Sequence, residues 1–378
     1  MKNPKFILAS DSFKGSLTGS QINKILTSAC SKVFDNAEII PFLVADGGEG
    51  TLDAIVTNKN GKIIEKSVLD PLFRETKSRY GAFDDCAIIA MNECSGLPML
   101  TLSERNPLKT TTFGLGELIL DAVEKGYKNV FVTLGGSATN DGGLGALTAL
   151  GYKFILKDGS IAKGVGEELI NVVKIDGSFA IDLKDVNFTI LCDVTNPLIG
   201  EKGATRVFST QKGADSDAVE LLEKGMQNWC AIINDYFNAD ANAVVGGGAA
   251  GGLGASLTLF LNAKIKSGIN TVLDIIGYKN ALQGATAVIT GEGRIDSQSV
   301  DGKVISGVAL PAQKAGVPVI AIVGSVGAGY EKCYDVGVKG VYSIIDKPAD
   351  LEEILSISPD LYFKTAISVF STIKAFLK

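Results

Sequence analysis

The chain has 378 residues, 46% apolar and 21% charged, with a formal net charge of −6. That length suits two compact cores and that composition a folded chain, while the acidic balance, without any Lys/Arg run, excludes wrapping a nucleic acid. No apolar run reaches the roughly 18 residues of a membrane span, and the run Phe6–Ala9 is too short for a signal-peptide core.

There is no histidine. This excludes Ser-His-Asp and Cys-His nucleophile systems and any histidine base, so proton transfer falls to Asp, Glu, Lys, Tyr or Cys. The six cysteines (Cys30, Cys86, Cys94, Cys192, Cys230, Cys333) are widely spaced, without a C-x-x-C pair. Zinc is therefore not expected, and reduced thiols in a cytoplasmic enzyme are.

The apolar run Lys5–Ala9 predicts a strand that stops at Asp11-Ser12-Phe13-Lys14-Gly15-Ser16. Ile22, Ile25, Leu26, Ala29 and Val33 have helical spacing. Glu38–Leu43 then reads as a strand ending at Asp46-Gly47-Gly48-Glu49-Gly50. Thr76–Tyr80 and Ala87–Asn92 predict half-buried strands, and Val130–Leu134 and Phe188–Cys192 predict buried ones. A helix is expected over Leu253–Leu261. Ala285–Thr290, Val317–Val323 and Gly340–Ile345 repeat the opening pattern, and Pro359 to Lys378 reads as an amphipathic helix. Strands that end in Gly/Asp loops and feed helices predict an α/β fold. We expect a Rossmann-like α/β domain built from both chain ends, residues 1–70 plus 285–378, with a second α/β domain, 71–284, inserted.

Walker A and protein-kinase signatures are absent. A G-x-G-x-x-G match at Gly246, Gly248 and Gly251 lacks the expected strand and acidic spacing, so it reads instead as a Gly loop whose N–H groups could hold an anion. The remaining chemistry lies in acidic Gly loops, nearly all at strand ends: 11–16, 46–51, 135–143, 192–197 and 291–296. Lys, Asp, Glu, Asn and Ser on such loops supply what phosphoryl transfer needs without histidine. Lys14 and Lys303 are expected on phosphate or substrate oxygens. Arg294, in the densest polar loop, suits a bidentate carboxylate clamp. Asp46, Glu49 and Glu292 are candidates for Mg²⁺. The base is sought among Asp11, Asp46, Asp141, Asp193 and Asp296. Asp193 is favoured because a strand end would desolvate it, and Asp296 comes next. For Asp141, capping a helix is the competing role.

Several of these segments resemble the bacterial glycerate kinase type 1 family. They are Asp11–Ser16, Val44–Thr51, Asn106–Thr112, Gly135–Gly143, Cys192–Leu198, Ala249–Ala255 and Thr290–Asp296, in the family's order. The resemblance implies ATP- and Mg²⁺-dependent phosphorylation of D-glycerate, two α/β domains, and an active site in the cleft between them. On these loops, substrate or nucleotide contacts are expected from Asp11, Ser12, Lys109, Ser137, Asn140, Asp141, Gly251, Gly252 and Arg294. The sequence departs from the pattern at Ser10, at Ser209-Thr210 before Gln211-Lys212-Gly213, and at Asp301 before Gly302-Lys303, with Lys303 itself kept. A kinase for another hydroxy acid, a non-catalytic nucleotide-binding regulator and a dehydrogenase using the Gly246 loop are the alternatives. Which loop holds ATP, which glycerate hydroxyl reacts, and whether the chain forms a homo-oligomer stay open.

Overall fold

The computed structural model describes residues 3–300 and 302–377, so Asp301 lies outside the described residues. The chain divides into two compact α/β units. The first runs to Asp46, takes in Thr57–Lys59 and resumes at Ile269; the second comprises Gly47–Val56 and Asn60–Gly268. The passage into the second unit thus comes earlier than residue 70. Lys62–Leu69 is a strand that pairs antiparallel with Glu75–Phe83 in the second unit's sheet.

The first unit holds a five-stranded, all-parallel sheet in the order Val338–Ser343, Val319–Val323, Ala287–Gly291, Lys5–Ser10, Glu38–Pro41. Its central strands are buried almost throughout, as expected of parallel strands covered on both faces. Starting from Lys5–Ser10, the chain adds Glu38–Pro41 on one side and later places Ala287–Gly291 on the other. That reversal is the topological switch point, where α/β sheets open a ligand crevice beyond the strand C-termini.

The helix Gly19–Val33 begins with a capping box in which Thr18 Oγ1 accepts from Gln21 N (3.2 Å) and Gln21 Oε1 accepts from Thr18 N (2.8 Å). It packs beside the helix Leu351–Phe376 in a core containing Phe6, Leu8, Ile22, Leu26, Leu361 and Phe370. This last helix starts before Pro359, not at it. Pro359 cannot donate to the Leu355 carbonyl four residues back, and Ser358 Oγ supplies that hydrogen bond instead (3.0 Å). Asp350 caps the true start by accepting from Glu353 N (2.8 Å).

The second unit holds a mixed sheet in the order Lys264–Lys266, Asn187–Leu191, Asn129–Thr133, Cys86–Ala90, Glu75–Phe83, Lys62–Leu69. The first four strands are parallel and the last two antiparallel. Its Gly loops at 135–143 and 246–252 pack on each other: Gly142 N donates to Gly251 O (2.9 Å), and buried Trp229 donates Nε1–H to Gly142 O (3.0 Å). Gly251 has φ +67°, and a Cβ there would lie 2.2 Å from the Thr139 carbonyl oxygen. Strain and overlap act together at this position. Gly251→Ala should cost about 2 kcal/mol or more, read as a lower urea midpoint. A loss below about 0.5 kcal/mol would mean that the two loops separate freely.

Candidate active site

A cavity of about 500 Å³ lies in the first unit at the C-terminal ends of its parallel strands. Asp11 follows the strand Lys5–Ser10 and Glu292 follows Ala287–Gly291. Ser10 stands opposite Gly291 in the register, and Asp11 N donates to Gly291 O (2.9 Å). The two carboxylate-bearing loops therefore leave the sheet side by side at the switch point. A third loop joins them: Gly324 N donates to Glu292 O (3.1 Å) and Ser325 N to Gly293 O (3.0 Å).

Cations surround this pair. Lys14 stands on the tight turn closed by Phe13 N to Leu17 O (2.7 Å). Lys303 occupies the N-cap position of the helix Val304–Lys314, whose dipole adds positive potential. Arg294 is largely exposed, with Nε 3.8 Å from Asp296 Oδ2. Asp11, Ser12, Lys14, Asp46, Glu292, Arg294 and Lys303 all line the cavity. Asp296 stands behind Arg294, accepting from Gln298 N (2.9 Å) while its own N–H donates to Ser299 Oγ (3.0 Å).

The electrostatics follow from burial. Desolvation raises the Asp11 carboxyl to about 6, and the nearby Asp46 charge adds to the rise, against the Ser12 N–H and Lys14. Glu292 is pushed up to about 7 by desolvation, with Asp11 and Asp296 adding and Ser299 and Lys303 opposing. Glu292 Oε1 is buried and has no hydrogen-bond partner among the described residues. It is an acceptor available to a ligand.

The other expected site residues lie in the second unit. Lys109 is half-exposed and ion-paired to Glu167 (2.6 Å). Asn140 is fully buried and donates Nδ2–H to Thr205 Oγ1 (3.1 Å). Asp141 is fully buried, accepting from Thr112 N (2.8 Å), Thr112 Oγ1 (2.7 Å), Gly143 N (3.1 Å) and Gly145 N (3.2 Å). Those bonds tie together the starts of the helices Phe113–Glu124 and Leu144–Ala149, although burial still raises the carboxyl. Gly251 and Gly252 pack closely on the 135–143 loop, where a Cβ on Gly252 (φ +93°) would lie 3.1 Å from Gly142 Cα. Asp193 does not have the desolvated setting expected of it: it is exposed beyond its strand and accepts from Gly268 N (3.2 Å to each oxygen). Glu49 is also exposed, and it belongs to the second unit whereas Asp46 and Glu292 belong to the first. Among the described residues no three Asp, Glu or Cys side chains form a ready metal cage.

Sequence reasoning missed a buried lysine. Lys212 is 2% exposed, and its ammonium donates to Ser137 Oγ (2.8 Å) and Thr139 O (2.7 Å). Ser137, an expected ligand contact, is thus held by a cation. Burial lowers Lys212 to about 7, against the favourable field of Asp141. A lone lysine in a polar stretch carries no local sign of this. Only its place in the Gln211-Lys212-Gly213 motif could have singled it out.

An α/β sheet with three carboxyls and three cations around the cavity at its switch point is of the type suited to handling phosphate. The chain belongs to the glycerate kinase family, whose model matches residues 6–374. It is 39% identical to a glycerate kinase of Bacillus cereus (strain ATCC 10987 / NRS 248), covering 97% of each chain. It is 38% identical to the glycerate 2-kinase of Escherichia coli (strain K12) over 98% of each. A solved structure from Salmonella typhimurium LT2 superimposes with a TM-score of 0.89 at 37% identity, covering 99% of both chains.

Lys212 gives a pH signature with a definite sign. Its folded pKa, about 7, lies below the roughly 10.4 of an unfolded lysine. Between those values the unfolded chain holds a proton that the folded chain lacks, so stability from this group rises with pH. It is fully present above the unfolded value and lost as pH falls through the folded one. Urea unfolding from pH 7 to 9.5 should show wild type gaining up to about 1.4 kcal/mol per unit over Lys212→Met. Parallel pH profiles would show that the ammonium keeps its water in the fold.

Proposed function

We propose that this chain is an ATP- and Mg²⁺-dependent kinase that phosphorylates the C2 hydroxyl of D-glycerate in the first unit's cavity. The observation that carries this reading is the convergence of Asp11 and Glu292 with Lys14, Arg294 and Lys303 at the switch point. The name of the Escherichia coli relative favours position 2. The cytoplasm is the proposed setting, and no helix among the described residues is long and apolar enough to cross a membrane.

Each group has a chemical task. Lys14 and Lys303 would neutralise the phosphoryl oxygens as charge redistributes, while Arg294 would hold the glycerate carboxylate by its planar fork. Ser12, beside them, would donate to a ligand oxygen. Glu292 is better suited to orient and deprotonate the attacking hydroxyl than to bind metal, because Oε1 is a buried acceptor in need of a donor. Asp11 and Asp46, close enough for Asp46 to raise Asp11, fit Mg²⁺, which is usually held by one or two carboxylates together with nucleotide phosphates and water. Bound there, the ion would supply charge neutralisation for the transferring group. Asp296 would position Arg294. In the second unit, Asp141 would act as scaffold, its carboxylate being engaged by four donors.

Purified protein with Mg²⁺ should consume ATP with D-glycerate and far less with L-lactate, which has the opposite configuration at C2 and lacks the C3 hydroxyl. Phosphorus NMR of the product should show 2-phosphoglycerate. Equal ATP consumption with and without glycerate would remove the kinase reading.

Glu292→Gln should lower kcat by roughly 10²-fold or more, the range of general-base catalysis, with both KM values little changed. Asp193→Asn should keep kcat within tenfold of wild type. The reverse pattern would return the base to Asp193.

A further inference from the structure

The cavity is not polar throughout. Beyond the carboxylates and lysines its wall is formed by Ile344, Ile345, Leu351, Ile354 and Leu355. Ile344 and Ile345 follow the strand Val338–Ser343, where Ile344 N donates to Val323 O (2.9 Å) and Ile345 N to Ser343 Oγ (3.1 Å). Leu351, Ile354 and Leu355 lie at i, i+3 and i+4 at the start of the last helix and so share one face. Ile354 is built into the core. Leu351 is 72% exposed, Ile345 42% and Leu355 37%.

Three exposed aliphatic side chains on one wall of a charged cavity are a departure from ordinary helix patterning. The first turn around them is otherwise acidic, with Asp350, Glu352 and Glu353. Core packing does not account for Leu351, which touches more solvent than protein. Glycerate has no use for such a wall, since each of its three carbons bears oxygen. A nucleoside triphosphate matches both ends: a polyanionic chain for the lysines and a flat, weakly polar base for the aliphatic side chains. The volume, about 500 Å³, lies within the range of small-molecule and cofactor pockets.

We infer that the wall formed by Ile344, Ile345, Leu351 and Leu355 is the purine slot of the nucleotide, which assigns ATP to the first unit's cavity with its phosphates toward Lys14 and Lys303. This rests on the kinase reading for the identity of the nucleotide. The slot presents aliphatic surface, so it would add affinity by removing apolar area of the base from water.

Leu351→Glu is the direct test. The residue is exposed at a helix N-terminus, where an acid is tolerated, and circular dichroism checks the fold. Calorimetric titration of the full chain with ATP, in Mg²⁺, should show Kd raised at least tenfold by Leu351→Glu. The Kd of inorganic tripolyphosphate, which has no base, should stay within threefold, as should KM for D-glycerate. In a second variant, Leu351→Trp, ATP should quench the new indole by stacking, against the single buried Trp229 as background. An unchanged ATP Kd in Leu351→Glu, or equal losses for ATP and tripolyphosphate, would overturn the slot. Because ATP binding is measured without turnover, a wild type that binds ATP but leaves glycerate untouched overturns the kinase reading and leaves the slot standing.

Discussion

Everything at the candidate site depends on the pairing of two strands from opposite ends of the chain, Lys5–Ser10 and Ala287–Gly291. The pairing is fastened at both ends. Lys5 N donates to Thr286 Oγ1 (3.0 Å) and Thr286 N to Lys5 O (2.7 Å), while Thr290 Oγ1 donates to Ala9 O (2.8 Å) and Asp11 N to Gly291 O (2.9 Å). Gly291 also lets the neighbouring strand Val319–Val323 approach from the other side, since a Cβ there would lie 1.9 Å from the Ile322 carbonyl oxygen. A larger residue would push that strand away from the one whose end carries Glu292. The loop closure behind the pairing of the two chain ends is long, but loop entropy grows only with the logarithm of length, so burying the central strands offsets it.

Placement then sets the chemistry. Buried strand ends desolvate the carboxyls they carry, and nearby carboxylates add to the rise (Asp46 for Asp11, Asp11 and Asp296 for Glu292), which is why Asp11 and Glu292 sit well above ordinary carboxyl values. Asp141 shows that burial alone does not make a reactive site. It is more deeply buried than either, but its donors come from the backbone and hydroxyl of its own scaffold. Such a group strengthens the fold and leaves no lone pair directed at a ligand. Glu292 has the opposite arrangement, with one oxygen unmatched.

The sequence made the first unit's sheet legible because its parallel strands are continuous apolar runs that end in Gly/Asp loops. The same feature revealed Asp11, Asp46, Glu292, Arg294 and Lys303, each within a few residues of a strand end or helix start. The strand Lys62–Leu69 was illegible: its outer position leaves most residues at least partly exposed, without clean alternation. The start of the last helix was hidden by Pro359, because the compensating Ser358 hydroxyl is visible only in three dimensions. The exposure of Asp193 and of Glu49 likewise depends on how loops turn after their strands, which periodicity does not encode. Lys212 and the aliphatic wall were missed for a related reason. Each looks ordinary in its own segment, and only tertiary neighbours make it unusual.

Unmatched buried polar atoms give a further line of reasoning about where ligands act. Leaving such an atom without a partner costs about 1–3 kcal/mol, so a fold keeps one where something else gains from it. In the first unit Glu292 Oε1 is such an atom, and it lies beside cations that a phosphate would satisfy. In the second unit Thr139 Oγ1, Asn140 Oδ1 and Ser209 Oγ are unmatched among the described residues, on the loops that hold Lys212. There the ammonium is met by neutral oxygens, and the one nearby acid, Asp141, already has its donors. A buried cation whose direct partners are neutral retains much of its electrostatic potential, with the field of Asp141 offsetting only part of the burial effect. The two units therefore use burial in different ways. The first concentrates negative charge that a proton or cation can relieve, and the second holds a positive charge that only an anion, or loss of its own proton, can relieve.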